Sequence, residues 1–297
     1  MAGNQPAQYQ VPTGVGLTAV GVAAVRAGEG RHGDPLFDDP FAADFVTAVG
    51  GTLSFFDGRR PPAARDDGDL WSWFLTYLPI RTRFFDDYFR QACAEGCRQA
   101  VILAAGLDTR AFRLAWPSGV RLFELDTPEV LVFKDQVLAR RAATPACRRV
   151  IINADLRQDW PAAAVRAGFH PGEPTAWLAE GLLLYLTPDE CDQLFERIGQ
   201  LSAPGSRLAV EYLSGDLRQG MVDTLNESPD DALLKTIWQS GEQEHPARWL
   251  SRNGWRVHDY GVSERAQSYG RPLPDFTGPV AQAALVAGGG LIIARRP

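Results

Sequence analysis

The chain is poor in the residues that most often announce a function. Its 297 residues include four cysteines and four histidines, with no excess of positive charge. No uninterrupted apolar run approaches the ~20 residues of a membrane span. The best candidate, residues 280–294, is broken by Gly288, Gly289 and Gly290, so no membrane partner is expected. Four cysteines are too few to staple a chain of this length, and Met1 to Pro12 shows no charged start followed by an apolar block. Cytoplasmic thiols are therefore expected. Cys93 and Cys97 stand at helical i,i+4 spacing, but no histidine lies near them in sequence to help complete the three or four ligands of a zinc site. No metal is expected. Against 36 acidic side chains there are 30 basic ones, a net charge of −6. That argues against nucleic acid as a partner, because phosphate binding needs a concentrated positive surface.

What is present is an ordinary globular composition, 45% hydrophobic and 22% charged, sufficient for one large α/β domain. Residues 1–98 read as a helical N-terminal cap, with helices over 17–27, 37–49 and 71–96, the last interrupted at Pro79. The polar stretch between residues 55 and 70 reads as a surface loop or a candidate lid. From residue 99 to 297 the pattern alternates. Apolar strands are expected at 100–104, 120–125, 149–152, 175–179 and 207–212, with later ones at 255–260 and 291–294. Helices are expected at 128–141, opened by Pro128, and at 188–201, where Thr187 serves as N-cap. Strands alternating with helices imply a Rossmann-like, doubly wound, mostly parallel α/β sheet in a single domain.

Ligands of such sheets bind beyond the carboxyl ends of the strands. Four consecutive strands end in or beside a carboxylate: Asp108 after Gly106, then Asp126, Asp155 and Glu180. This suits a positively charged ligand with hydroxyl and amine donors, and suits a pyrophosphate badly. The first turn, Leu103 to Arg110, also lacks the glycines that let backbone approach a dinucleotide's phosphates. Asp126 follows Gly106 by 20 residues, the spacing at which an acid grips ribose hydroxyls. Arg81, just after Pro79, is placed to reach a ligand carboxylate. No histidine (His32, His170, His245, His258) falls in a strand-end motif.

Five ordered motifs then carry a resemblance. They are Val101 to Arg110 with Phe112-Arg113-Leu114; Leu122 to Pro128; Asn153 to Arg157; Leu178 to Pro188; and an echo at Leu250 to Trp255. Together they resemble the leucine carboxyl methyltransferase family, including its bacterial O-methyltransferase branch. One departure is Ala104, where relatives usually carry glycine.

The resemblance implies a class I methyltransferase fold with S-adenosyl-L-methionine as methyl donor. Asp126 would accept from the ribose hydroxyls. Asp155 would accept from the adenine amino group, while the Leu156 N–H donates to the ring. Glu180, or carbonyls of the Ala105-Gly106 turn, would hold the ammonium, and Arg81 the carboxylate. The acceptor would be a small molecule, of polyketide type by analogy with the bacterial branch, methylated on oxygen. Tyr185, Tyr212, Arg218 and Trp238 are the candidates on the acceptor side. Two observations lean toward a carboxylate acceptor: the absence of a placed histidine and the family's own chemistry. Methylation of a protein's terminal carboxylate, NAD-dependent oxidoreduction and a non-catalytic nucleotide-binding module remain the alternatives. A homo-oligomer is compatible with the sequence, which carries no sign of one.

Overall fold

In the computed structural model, residues 9–50, 70–223, 229–238, 244–273 and 289–297 are described. The candidate lid loop between residues 55 and 70 lies almost wholly outside them.

Three helices precede the sheet: α1 (Val15–Glu29), α2 (Ala42–Ala48) and α3 (Leu70–Ala94). Helix α3 runs through Pro79 without the expected interruption. A helix-interior proline costs ~3 kcal/mol in isolation. Here Tyr77, Leu78, Ile80, Phe84, Phe85, Tyr88 and Phe89 all bury along this helix, and packing overrides the local preference.

The sheet begins with β1 (Gln99–Leu103), followed by α4 (Arg110–Arg113), β2 (Arg121–Asp126), α5 (Pro128–Arg140), β3 (Arg148–Asn153), α6 (Trp160–Arg166) and β4 (Thr175–Ala179). A short 3-10 turn at Leu183–Tyr185 leads into α7 (Pro188–Gln200). Thr187 caps α7 as the sequence indicates, in a reciprocal box with Glu190. Then come β5 (Arg207–Leu213), α8 (Gly215–Asp223), α9 (Pro229–Ile237), α10 (Pro246–Arg252), β6 (Arg256–Gly261), α11 (Val262–Ser268) and β7 (Gly289–Arg295).

Seven strands lie in the order β3-β2-β1-β4-β5-β7-β6. The first five are parallel, and β7 inserts antiparallel between β5 and β6. Sequence pattern located the last two strands but not this insertion, because alternation carries no sign of direction. Gly290 makes the insertion sterically feasible: a Cβ there would stand 2.6 Å from both the Tyr212 ring and Asp259.

Side chains of β1 alternate between two cores. Val101 and Leu103 pack with Phe123, Trp160 and Trp177 on one face, and Ala100 and Ile102 with Phe85 and Phe89 on the other. Strand order reverses between β1 and β4, so the crevice at their carboxyl ends is the expected place for a ligand.

Candidate active site

A cavity of about 510 Å³ opens at that crevice. This is the size of a small-ligand site. Its floor is the turn after β1, where Ala104 has φ +50° and Gly106 φ +48°. The Ala104 departure therefore falls on left-handed backbone, where a Cβ costs ~1–2 kcal/mol and glycine is favoured. Helix α1 closes over the turn; a Cβ on Gly106 would stand 3.3 Å from that of Ala19.

Arg81, Ala105, Gly106, Asp126, Asp155, Leu156, Glu180, Tyr185 and Trp238 all line this cavity. Asp126 takes one backbone hydrogen bond on each oxygen, from Gly106 N–H at 2.6 Å and Thr127 N–H at 2.7 Å. Oδ1 also accepts from the Thr127 hydroxyl at 3.4 Å, so Oδ2 is the oxygen of Asp126 with most capacity for a further donor. Burial lifts its carboxyl above the usual aspartate range, against those two N–H groups. Asp155 pairs with its neighbour Arg157 at 2.7 Å, and these hydrogen bonds lower its carboxyl. The Leu156 N–H donates no hydrogen bond among the described residues. An acid for two hydroxyls, an acid beside a free N–H and a cavity of this size fit a ribose with its adenine.

The far wall is ionic. Arg81 donates from Nη1 to both oxygens of Glu211, at 3.0 and 2.8 Å, and its Nε lies 2.9 Å from Glu180 Oε1. Tyr77 Oη and Gly181 N–H each donate to Glu211 at 2.6 Å. The other oxygen of Glu180 accepts from Arg110 at 2.6 Å, and Arg110 also pairs with Asp108 and with Asp86. Arg113 closes on the same Asp86.

Glu180 and Arg81, assigned from sequence to the two charges of a donor's amino-acid end, are thus held against each other. Among the described residues Arg81 Nη2 makes no hydrogen bond, and it is the atom left for a ligand carboxylate. Burial would lower the pKa of Arg81 and Arg110, but the carboxylates around them outweigh it and hold both well above the ordinary arginine value. Burial would likewise raise the pKa of Asp108, yet Arg110 beside it brings it down to about 2.

Two sequence candidates fall elsewhere. Tyr212 does not line the cavity: its hydroxyl lies 2.5 Å from His245 Nε2 and 3.2 Å from Asp259, on the β6 side of the sheet. Side chains alternate along β5, so Glu211 takes the cavity side and Tyr212 the opposite one. Arg218, on α8, does not line the cavity either. Glu211, Tyr77 and Arg110 were not singled out from sequence. Glu211 follows the apolar run Leu208-Ala209-Val210 at the end of β5, and the strand-end reasoning that found Glu180 applies to it equally. Tyr77 and Arg110 carry no such positional mark.

Comparison with known proteins places the chain in a family. The pattern of the leucine carboxyl methyltransferase family matches residues 19–199. A protein of Frankia alni named as an S-adenosyl-L-methionine-dependent methyltransferase is 46% identical over 285 residues, covering 94% of this chain and 96% of its own. A similarly named protein of Saccharopolyspora erythraea is 42% identical, covering 93% and 94%. Among solved structures, a DUF574-family protein of Streptomyces avermitilis superposes with a TM-score of 0.57 at 13% identity, covering 93% of this chain and 97% of its own. A Thermobifida fusca protein described within the methyltransferases gives 0.55 at 17%, covering 97% and 96%. At such identities these two speak for the fold alone, a Rossmann-like sheet. Family pattern, close relatives and fold agree: the chain belongs to the leucine carboxyl methyltransferase family, and S-adenosyl-L-methionine is its methyl donor.

Proposed function

We propose that the protein is an O-methyltransferase acting on the ionised carboxylate of a small-molecule acceptor. The observation that carries this reading is that, among the described residues, no histidine lines the cavity and its carboxylates are held by arginines or stand on the β2 and β3 side assigned to the donor. The cavity's two tyrosines are pushed up by burial and so stay protonated at neutral pH. Glu180 and Glu211 are held by arginines. A carboxylic acid, with a reference pKa near ~4, is already ionised at neutral pH and needs no base, whereas a phenol near ~10 usually does.

The donor supplies an electrophilic methyl carbon when bound. The chain's own part is to hold two molecules in line, and such orientation contributes ~7–11 kcal/mol. On this reading Asp126 takes the ribose hydroxyls. Asp155 and the Leu156 N–H take the adenine edge. Arg81 Nη2 takes the donor's carboxylate, with Glu180 or the carbonyls of the Ala105-Gly106 turn receiving the ammonium.

The test is methyl transfer from labelled donor across pH. The rate is expected to stay nearly flat from about pH 6 to 8, because no catalytic proton transfer titrates there. The product is expected to release methanol under mild alkali, as an ester does. A base-stable methyl ether, formed at a rate rising through neutral pH, would establish phenol chemistry instead.

A further inference from the structure

The cavity has a second region whose chemistry differs from the strand ends. Val22, Tyr77, Leu184, Tyr185, Leu213 and Trp238 line the cavity and belong to one apolar cluster built from α1, α3, the 3-10 turn, the end of β5 and the residue after α9. Its polar atoms are few and largely engaged. Tyr77 gives its proton to Glu211. Thr18 Oγ1 donates to Val15 O, which leaves it to accept from Tyr185 Oη at 3.0 Å. The Trp238 indole N–H is the exception. Trp238 is 6% exposed, and among the described residues its Nε1 makes no hydrogen bond of good geometry. The Tyr185 hydroxyl lies near enough for the Trp238 N–H to pull that phenol's pKa down against burial, a weak contact that a better acceptor on a ligand would replace.

Charge sharpens the picture. Five arginines line the cavity: Arg26, Arg81, Arg110, Arg113 and Arg157. Each is already paired with a carboxylate, of Asp39, Glu180 and Glu211, Asp86 and Asp108, Asp86, and Asp155 respectively. No lysine or histidine joins them among the described residues. Among the described residues no lining cation is left uncompensated, so the positive charge that an acceptor meets here is the donor's sulfonium. An acceptor oxygen facing that sulfonium is neutralised; a second anion in the apolar region is not, and a buried unpaired charge is strongly disfavoured.

We propose that this region takes the apolar body of a monocarboxylic acid with no charge beyond the oxygen that is methylated, with the Trp238 N–H as a neutral donor to the carboxylate oxygen that is not methylated. The inference rests on the carboxylate reading above and adds the class of acid. It excludes dicarboxylates. It also excludes peptide tails, whose amides would find few partners against these leucines and aromatics.

The experiment is calorimetric titration of the protein saturated with sinefungin, whose ammonium stands in for the sulfonium. The probes are 4-methylcinnamate, its dianionic counterpart 4-carboxycinnamate, and a tripeptide ending in leucine. Methylcinnamate is expected to bind at least tenfold more tightly than either of the others. Trp238→Phe is expected to weaken it about tenfold while sinefungin affinity stays within twofold. Dianion or peptide binding as tight as the monoanion, or no binding of methylcinnamate, would overturn the proposal. This wild-type selectivity is decisive whether or not the variant folds. Unchanged methylcinnamate affinity in folded Trp238→Phe would overturn the role given to that residue. Failure of sinefungin itself to bind would instead strike the donor reading, and a base-stable product the carboxylate reading.

Discussion

The carboxylates at the ends of β2 and β3 differ from those at the ends of β4 and β5, although all four stand at the same edge of one sheet. Asp126 and Asp155 are held by backbone N–H groups and by an adjacent arginine. Glu180 and Glu211 are held by arginines of α3 and α4, across long stretches of chain. Asp126 keeps capacity on Oδ2 for a ligand's hydroxyl donor, and among the described residues Asp155 is held only by the exposed Arg157, which a ligand's donor can displace. The second pair fixes the guanidinium of Arg81 at the cavity wall and ties the helical cap to the sheet. Position at a strand end marks a carboxylate as belonging to the site; its partners decide whether it meets the ligand or sets the wall.

Removing an arginine from the wall is the most severe way to test that division. Arg110→Ala leaves Asp86, Asp108 and Glu180 short of a buried partner. Breaking such a pair costs ~3–5 kcal/mol. Urea denaturation is expected to show a loss of that size, with donor binding lost alongside it. A variant as stable as the parent would show that the ionic wall is not needed for the fold.

Acid is a gentler probe of the carboxylates that the wall's arginines hold. Asp108, held at about 2 by Arg110 against burial, lies below its unfolded value. Its ionised form is therefore favoured by folding. It contributes about 2 kcal/mol that is present above roughly pH 4 and lost as pH falls through the folded value. Asp86 shifts in the same direction, held down by Arg113 and Arg110 against burial. Asp126, raised by burial, works oppositely: it favours folding when protonated, and that contribution is lost as pH rises through its raised value. Stability followed by circular dichroism is expected to drop between about pH 4 and 2, and substitution of Asp108 by Asn is expected to flatten that drop.

The smallest effect is expected at the turn. Ala104→Gly relieves a left-handed alanine, offset by the entropy glycine loses on folding, for a net gain of about 1 kcal/mol or less. Thermal unfolding measures it, and a loss of stability would mean that the methyl group packs more usefully than its backbone strains.

Strand ends were legible in the sequence because apolar runs stop at a glycine turn or a charge: Leu103 before the Gly106 turn, Leu125 before Asp126, Ala179 before Glu180. Their pairing was not legible. Arg81 and Glu180 look independent along the chain and become partners only when α3 packs against β4 and β5. Tyr212 falls outside the cavity because one residue of register on a strand exchanges the cavity face for the opposite face. The apolar region proposed for the acceptor was the least legible part, since five separate elements contribute its walls.

The central claim is that the ends of β1 to β3 hold S-adenosyl-L-methionine through Asp126, with Asp155 assisting. It is tested most directly by titrating S-adenosylhomocysteine into the wild-type protein and the folded Asp126→Ala and Asp155→Ala variants, with NAD as control. The expected result is one site per chain in the wild type and no NAD binding at comparable concentration. Affinity is expected to fall roughly ten- to a hundredfold in Asp126→Ala, and by less in the more exposed Asp155→Ala. Unchanged affinity in Asp126→Ala, or tight NAD binding without response to S-adenosylhomocysteine, would contradict the account.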